Sequence, residues 1–358
     1  MQFLFKTRYE DDIRFLAKTG EKIRVGMVIA FLLAAPLFLP SYYLGELGML
    51  LVYAIAGVGL MILTGHTGQV SFGHAAFLGI GAYCHSILMS HGVPFSVSVV
   101  LTMSLSGLIG MALGRSASRM HGFYLAIATL AFLILVETAL GEWGSLTGGY
   151  SGFSVPGLKI FSVPLTQVWQ QYYVDLIFTL FVVWGASNLF RSPTGRSFVA
   201  VRDSELSARS LGVNVEWVKI QSFGVSAAIT GLAGALLAHQ LSYLSPETFD
   251  VLHSLKLLLM IVVGGLGSIL GAIFGAIFIS LLPVALSFLK DVLPPSIGEQ
   301  AGLEPLLFGL IIVLFIVFEP AGIYGRWMKI RFFFETLPYY RKSSFVRQKS
   351  YLKTERMR

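Results

Sequence analysis

Long apolar stretches alternate with shorter polar or glycine-rich connections along most of the chain. A helix needs about 20 apolar residues to cross a bilayer, within a range of roughly 17–25. Ten hydrophobic segments approach or meet this length, at residues 25–40, 47–63, 70–89, 96–113, 122–140, 173–190, 218–240, 252–264, 266–289 and 303–320. Segments 25–40 and 252–264 are short, so either could be tilted, extended or re-entrant. The pattern predicts an all-α polytopic membrane protein.

The composition supports this fold class. Hydrophobic residues make up 55% of the chain and charged residues 13%, whereas soluble domains carry about 25% charged residues. The mean hydropathy is +0.75, and a soluble protein this apolar would lack the charged surface needed to cover its helices. The single cysteine, Cys84, excludes an intrachain disulfide, and its apolar segment predicts a packing role.

Positive charges are distributed unequally between alternate connections. With the N-terminus in the cytoplasm, the inner regions are 1–24, 114–121, 191–217 with the adjacent Lys219, and everything from residue 324 onward. These regions hold every Lys and Arg except Lys159, Lys256 and Lys290. Because cytoplasmic connections carry the excess of Lys and Arg, both termini are predicted to be cytoplasmic.

This orientation divides the chain into three parts. Residues 1–24 are predicted to be a cytoplasmic N-terminal segment, 25–320 the transmembrane domain, and 321–358 a basic cytoplasmic tail. Within the domain, residues 191–217 form an inner loop and 141–172 a long outer loop. The tail mixes Lys and Arg with aromatic residues, which predicts contact with anionic membrane lipid. Binding to nucleic acid is the alternative interpretation of this tail, and no other feature of the sequence supports it.

Two glycine-rich stretches, residues 64–83 and 264–275, interrupt the apolar segments. Glycine allows helices to approach closely and allows a helix to break where it lines a cavity. The spacing of Gly264, Gly267, Gly271 and Gly275 predicts one small-residue face on a helix. Both tight packing and a translocation path are consistent with these stretches, and the first is the better path candidate because it also carries polar groups. The candidate path and joint residues are Gly65, Gly68, Gln69, Ser71, Gly73, His74, Gly264, Gly267 and Gly271.

The sequence contains no recognisable catalytic or metal-binding motif. Glu137, Asp175 and Lys256 are placed towards the ends of their segments, so no charge lies convincingly at the centre of a span. Ion-coupled carriers use charged groups inside the membrane, and therefore the energy for any transport is expected to come from elsewhere. His85, His239 and His253 are expected to be interfacial or packing residues rather than ligands.

Several motifs together resemble a known family. "TGHTGQVSFGHAAFLGIGAY" is similar to the signature of LivM-type permeases of branched-chain amino-acid ABC importers. "RSPTGRSFVAVRDSELSARSLGVNVEWVKIQSFGVSAAITGLAGAL" resembles their cytoplasmic loop and the span after it. "LTGGYSG", "IVVGGLGSILGAIFGA" and "EPAGIYG" resemble three further family segments, in the same order. The resemblance extends from about residue 47 to 325.

The resemblance implies an ABC importer permease fold and a non-catalytic transport subunit in a bacterial plasma membrane. Its implied partners are a second, related permease, separate ATPase subunits and an extracytoplasmic solute-binding protein. ATP and Mg²⁺ would bind the ATPase subunits, and this chain would bind no cofactor. Substrate would then cross by alternating access, driven from outside the chain.

The resemblance also implies that residues 191–217 present a coupling helix to the ATPase. Asp203 or Ser204 is a predicted N-cap and Gly212 a predicted helix stop, while Leu206, Ala208 and Leu211 would form a small apolar docking face. The residues assigned to ATPase coupling are Arg196, Arg202, Asp203, Glu205, Leu206, Ala208, Arg209, Leu211 and Gly212.

Three alternatives stay open at this point. The same machinery could import urea, amides or small organic acids, since the binding protein selects the cargo. A self-sufficient ion-coupled carrier would not need the polar loop at 191–217. A membrane enzyme would need a catalytic constellation that the sequence does not show.

Overall fold

The structure is a computed structural model that describes residues 19–120, 122–160, 163–292, 303–319 and 321–336. The predictions for residues 1–18 and for the tail beyond residue 336 lie outside these ranges.

The described chain is almost entirely α-helical. Its fourteen α-helices are α1 (Thr19–Phe38), α2 (Ser41–Met61), α3 (His74–Ser90), α4 (Phe95–Ala117), α5 (Phe123–Glu142), α6 (Gly144–Thr147), α7 (Val168–Arg191), α8 (Pro193–Asp203), α9 (Glu205–Ser210), α10 (Val215–Leu241), α11 (Val251–Gly264), α12 (Ile269–Val292), α13 (Leu303–Phe318) and α14 (Gly322–Thr336). A π-helical turn, Ile62–His66, extends α2. Each of the ten predicted hydrophobic segments coincides with one of these helices.

Four two-residue strands lie in the described part of the chain. They are β1 (Phe153–Ser154), β2 (Lys159–Ile160), β3 (Val163–Pro164) and β4 (Tyr243–Leu244). β1 pairs antiparallel with β4, and β2 with β3. The predicted outer loop is therefore partly ordered by a strand pair that ties it to the end of α10.

Five helices within the described ranges are long and apolar enough to cross a membrane: Ser41–His66, Phe95–Ala117, Phe123–Glu142, Val168–Arg191 and Val215–Leu241. Ile269–Ala285 is a shorter apolar stretch within α12. The 14 residues of α11 rise only about 21 Å at 1.5 Å per residue, less than the roughly 30 Å of a bilayer core. The count of ten spans and the cytoplasmic termini stay predictions.

α10 lies at the centre and packs against α2, α3 and α4. The most apolar stretches of α2 and α10 are 78% buried, whereas those of the other three long helices are 28–39% buried. Burial of this kind is expected for a helix that is hydrophobic on all sides, as α2 and α10 are. Gly234 on α10 lies so close to the Leu78 carbonyl that any Cβ there would collide with it. Small residues thus let the central helices touch through their backbones.

The glycines around residue 264 correct the prediction of a single small-residue face. Gly264 ends α11, and the chain then turns through Gly265 (φ 119°) and Gly267 (φ 86°), which L-residues rarely adopt. Gly271 and Gly275 lie on α12, and both pack against Gly264 across the turn. The close packing is present, but it joins two helices because the backbone reverses at Gly265 and Gly267.

The predicted inner and outer loops lie at opposite ends of α10. The helix starts directly after residues 191–214 and ends just before β4, the partner of β1. Its 27 residues span about 40 Å at 1.5 Å per residue. The two regions are thus separated by the length of a membrane-crossing helix, and their assignment to the two membrane faces stays a prediction.

Candidate functional site

Residues 191–217, here the coupling segment, form a rigid series of capped helices. The Ser192 hydroxyl accepts from the Gly195 N–H at the start of α8, and Ser204 accepts from the Ser207 N–H (3.2 Å) at the start of α9. Of the two predicted N-caps, Ser204 is therefore the one used. Gly212 has φ 84° and ends the helical run as predicted, and Asn214 caps α10 through the Trp217 N–H at 3.0 Å.

One side of the coupling segment is buried against the end of α2. Phe198 and Val201 of α8, Ala208 of α9 and Val218 of α10 form a hydrophobic cluster with Ile62 of the π-helical turn. Ala208 is only 2% exposed, so it does not lie on the exposed face with Leu206 and Leu211. The tertiary packing explains this correction, because the Ala208 side chain packs against α8 and the end of α2 in the buried cluster.

The other side of the coupling segment exposes apolar surface. Leu206 and Leu211 are each 81% exposed, and Trp217 at the start of α10 is 52% exposed. Arg196 and Arg209 are exposed around them. We call Leu206, Leu211 and Trp217 the docking face.

Glu205 is half-buried and forms an ion pair with a buried lysine. Its Oε1 lies 2.7 Å from Nζ of Lys219, whose side chain is 3% exposed. The same ammonium donates to the Ser118 carbonyl at 3.3 Å. One lysine thus ties α9 and α10 to the end of α4.

Arg202 connects the coupling segment to both glycine-rich stretches. Its Nη1 donates to the Gly65 carbonyl at the end of the π-helical turn (3.0 Å), and its Nε and Nη2 donate to Asp203. A Cβ placed on Gly267 would lie 3.5 Å from this guanidinium, and one on Gly65 would lie 2.8 Å from the Gly267 nitrogen. The predicted coupling and joint residues therefore meet at one point, which we call the glycine junction: Gly65, Gly68, Arg202 and Gly267.

Gln69, Ser71 and His74 are buried where the chain crosses from the π-helical turn to α3. The Gln69 amide donates to Ser222 (3.0 Å), and the His74 ring lies between Ser71 (3.0 Å) and Ser226 (2.7 Å). The Ser226 hydroxyl in turn donates to the Gly59 carbonyl at 2.6 Å. These groups, together with Ser222 and Ser226, form a polar seam between α3 and α10. Gly73 packs beside it against the Thr129 carbonyl.

Two other polar pairs are buried near the far end of α10. Asp175 of α7 is 1% exposed and accepts from the Gln240 amide at 2.6 Å. His85 lies between Ser98 (2.7 Å) and His239 (2.9 Å). No cluster of three His, Cys, Asp or Glu side chains able to hold a metal lies within the described residues.

Sequence reasoning selected Arg202, Gly65 and Glu205 but did not pair Arg202 with Gly65, and it did not select Lys219 as a site residue. Lys219, Ser222 and Ser226 follow the coupling segment at a helical spacing on α10, and that periodicity was the available signal for a polar stripe. These three residues bond to Ser118, Gln69 and His74, respectively. Each of these partners lies more than 100 residues away along the chain, so no local pattern connects them.

Comparison with known proteins identifies a transport family. Residues 42–317 match the family described as "Branched-chain amino acid transport system / permease component". No solved structure matches the chain.

Individual relatives include the high-affinity branched-chain amino acid transport system permease protein LivM of Salmonella typhimurium, which is 30% identical over 300 residues, 77% of this chain and 68% of the relative. LivM of Escherichia coli K12 is 28% identical over 298 residues, 76% of this chain and 68% of the relative. The autoinducer 2 import system permease protein LsrC of Escherichia coli O9:H4 is 27% identical over 320 residues, 86% of this chain and 89% of the relative.

Proposed function

This chain belongs to the family of branched-chain amino acid transport permeases, and we propose that it imports branched-chain amino acids as the membrane-spanning subunit of an ATP-driven importer. The resemblance to LivM-type permeases seen in the sequence is confirmed by these comparisons. In the proposed assembly the chain pairs with a second, related permease in a bacterial plasma membrane. Separate subunits bind ATP and Mg²⁺, and an extracytoplasmic binding protein delivers the solute.

The docking face carries this proposal. Leu206 and Leu211 are 81% exposed on a segment whose caps and buried cluster hold it rigid. Exposed apolar side chains surrounded by polar residues are typical of protein contact sites. A rigid segment is required because a flexible loop would absorb the motion of an ATPase instead of transmitting it.

The glycine junction offers a route from the docking face to the spans. Movement of α8 and α9 displaces Arg202, which holds the Gly65 carbonyl and adjoins Gly267. Gly65 ends the extension of α2, and Gly267 lies in the turn between α11 and α12. We propose that rotation about these glycines moves three membrane helices together.

The polar seam is the proposed translocation path. Gln69, Ser71 and His74 are shielded in this conformation by Ser222 and Ser226. Hydroxyl, amide and imidazole groups can exchange these bonds for bonds to a polar solute when α3 and α10 separate. The joint glycines Gly65, Gly68 and Gly73 border this seam, and Gly264 and Gly271 border the α11–α12 turn.

Affinity purification of the tagged chain from its native membrane in mild detergent tests the assembly. We expect ATPase subunits and a second permease to be recovered with it. The variants Leu206→Glu and Leu211→Glu should lose the ATPase but keep the second permease, because a charge on the docking face opposes burial.

Leu146→Glu is the matched control, since Leu146 is an exposed leucine (41%) in the outer loop. Normal ATPase recovery with both docking-face variants would refute the proposed interface. Recovery of the folded wild-type chain alone would instead favour a self-sufficient carrier.

A second candidate cargo class has its own support. The match to an autoinducer 2 permease covers 86% of this chain and 89% of that relative, so other small polar solutes, including urea, amides or small organic acids, remain candidates. Uptake into proteoliposomes containing the complete importer decides between them: leucine, isoleucine or valine should accumulate only with ATP and the binding protein.

A further inference from the structure

A cavity of about 390 Å³ lies between α2, α11 and α12, apart from the polar seam and the docking face. Its size is at the lower end of small-molecule sites, which span roughly 300–1,000 Å³. Leu257, Met260 and Ile279 supply apolar walls. The cavity therefore fits a small solute with an apolar part.

Two opposite charges line the same cavity. Glu46 comes from α2 and Lys256 from α11, and among the described residues neither takes part in an ion pair. A carboxylate and an ammonium that share a cavity without pairing together match the two charges of a zwitterion.

Hydrogen-bonding groups of α12 adjoin these charges. The Ser280 hydroxyl is buried without a hydrogen-bond partner among the described residues, and Ser280 lines the cavity. Pro283 has no N–H, so the Ile279 carbonyl loses its normal partner four residues later in the helix. Buried polar groups are nearly always satisfied in proteins, so an orphaned hydroxyl beside a cavity points to a ligand.

The position of the cavity suits a solute arriving from the outer side. Gly48 lies two residues after Glu46 on α2 and packs against Gln240 and Asp175. Gln240 is at the end of α10 that is remote from the coupling segment. Lys256 is within two turns of the start of α11, whose other end carries the glycine junction. The cavity thus lies towards the predicted outer loop.

We propose that this cavity binds an α-amino acid zwitterion with an apolar side chain. Lys256 pairs with the carboxylate, while Glu46 and the Ile279 carbonyl accept from the ammonium. Ser280 bonds either group, and Leu257 and Met260 contact the side chain. This inference rests on the proposed function and adds an entry site in the permease itself.

The first test is equilibrium binding of tritiated leucine to the complete permease–ATPase complex in lipid nanodiscs, without binding protein. We expect saturable binding. Unlabelled leucine should compete about tenfold better than 4-methylpentanoate, which lacks the ammonium, or 3-methylbutylamine, which lacks the carboxylate, because each analogue leaves one charge unpaired. Absence of leucine binding, or equal competition by either analogue, would overturn the proposal without any variant being needed.

Variants assign the two charges. Glu46→Gln should abolish the preference for leucine over 4-methylpentanoate, and Lys256→Gln the preference over 3-methylbutylamine. Glu247→Gln and Lys159→Gln, which alter exposed charges outside the cavity, should keep both preferences. A general loss of structure cannot produce this reciprocal pattern, and retention of both preferences in Glu46→Gln and Lys256→Gln would exclude the site.

Uptake by the complete importer with its binding protein separates this inference from the proposed function. Leucine uptake that persists while nanodisc binding lacks the expected selectivity would disprove the cavity site alone. Uptake of a different solute, with none of leucine, would remove both the proposed cargo and the site.

Discussion

Single charged side chains have roles here that their positions along the chain do not reveal. Arg202 and Glu205 were expected to face a partner protein, yet the structure gives both of them internal contacts, to Gly65 and to Lys219. Each contact bridges separate helices, so each side chain can link a surface contact to the interior. Sequence reasoning selected Arg202 and Gly65 for separate roles and missed their contact, because Gly65 lies 137 residues from Arg202.

Arg202→Ala should uncouple the importer. Loss of a charge-assisted hydrogen bond to the Gly65 carbonyl removes about 1.5–3 kcal/mol, which corresponds to roughly a 10- to 100-fold change in an equilibrium. We expect leucine uptake per ATP hydrolysed to fall about tenfold in proteoliposomes while ATPase activity persists.

The control is Arg119→Ala, an exposed arginine beside Ser118 at the same end of the helices. It should retain normal coupling. Unchanged uptake in Arg202→Ala at normal abundance would show that the glycine junction does not transmit motion.

Glu205→Gln should destabilise the fold as well as impair transport. Loss of the charge opposite the buried Lys219 ammonium costs about 1–3 kcal/mol, less than for a fully buried pair because the Glu205 side chain is 31% exposed. Thermal unfolding of the purified chain should show a lower melting temperature than wild type.

Lys219→Met in the Glu205→Gln background should recover most of that stability, since no buried charge is left unpaired. Arg209→Ala, at an exposed position, should leave stability unchanged and affect only coupling. If Glu205→Gln melts like wild type, the ion pair contributes nothing to the fold.

Helices and their ends follow from the sequence to different degrees. The apolar runs predicted a helix at each of the ten segments, because a long continuous apolar run is a property of the local sequence. The ends were less predictable: α3 starts at His74 rather than residue 70, and the π-helical turn at Ile62–His66 has no signature in the apolar pattern. The glycines at 264–275 indicated close packing correctly but the wrong arrangement, because periodicity alone does not show where a backbone reverses.

Gly264→Ala should prevent normal packing of α11 on α12. Its new Cβ would collide with the Gly271 carbonyl and lie 2.7 Å from the Gly275 nitrogen, so the two helices would have to separate. We expect strongly reduced abundance of folded protein, measured by fluorescence-detected size exclusion.

Gly185→Ala is the matched control. A Cβ on Gly185 in α7 meets no atom within 4 Å, and replacing glycine in a helix stabilises it by about 0.5–1 kcal/mol. Equal abundance of the two variants would contradict the packing of Gly264.

The molecule as a whole places its polar groups along the central helix α10. The docking face and glycine junction lie near its start, the polar seam follows along its first half, and the Asp175–Gln240 pair lies near its end. A transporter that opens alternately to two sides needs polar groups that separate without leaving the membrane core unsatisfied. The seam meets this need because its hydroxyls can bond to one another or to a solute.

Opening of the seam is measurable with cysteines. In a Cys84→Ala background, Ser71→Cys should react with a membrane-impermeant maleimide during ATP turnover and not at rest, because Ser71 is 1% exposed in this conformation. Ser86→Cys is the control, since Ser86 is buried on α3, the helix that follows Ser71, and bonds to the Ala82 carbonyl.

Ser86→Cys should stay unlabelled in both states. Protection of Ser71→Cys throughout turnover, in a complex that transports, would place the path elsewhere and leave the seam as helix packing.

Apolar periodicity, capping residues and glycine-rich motifs determine the helices, the capped coupling segment and the family of this protein, because each is a property of neighbouring residues. The positive charges predict an orientation in the same way. The partners of Arg202 and Glu205, the inward position of Ala208 and the turn at Gly265 and Gly267 depend on residues brought together from distant helices. The cavity between α2, α11 and α12 likewise exists only after packing, since its charges come from two helices and its unpaired hydroxyl from a third.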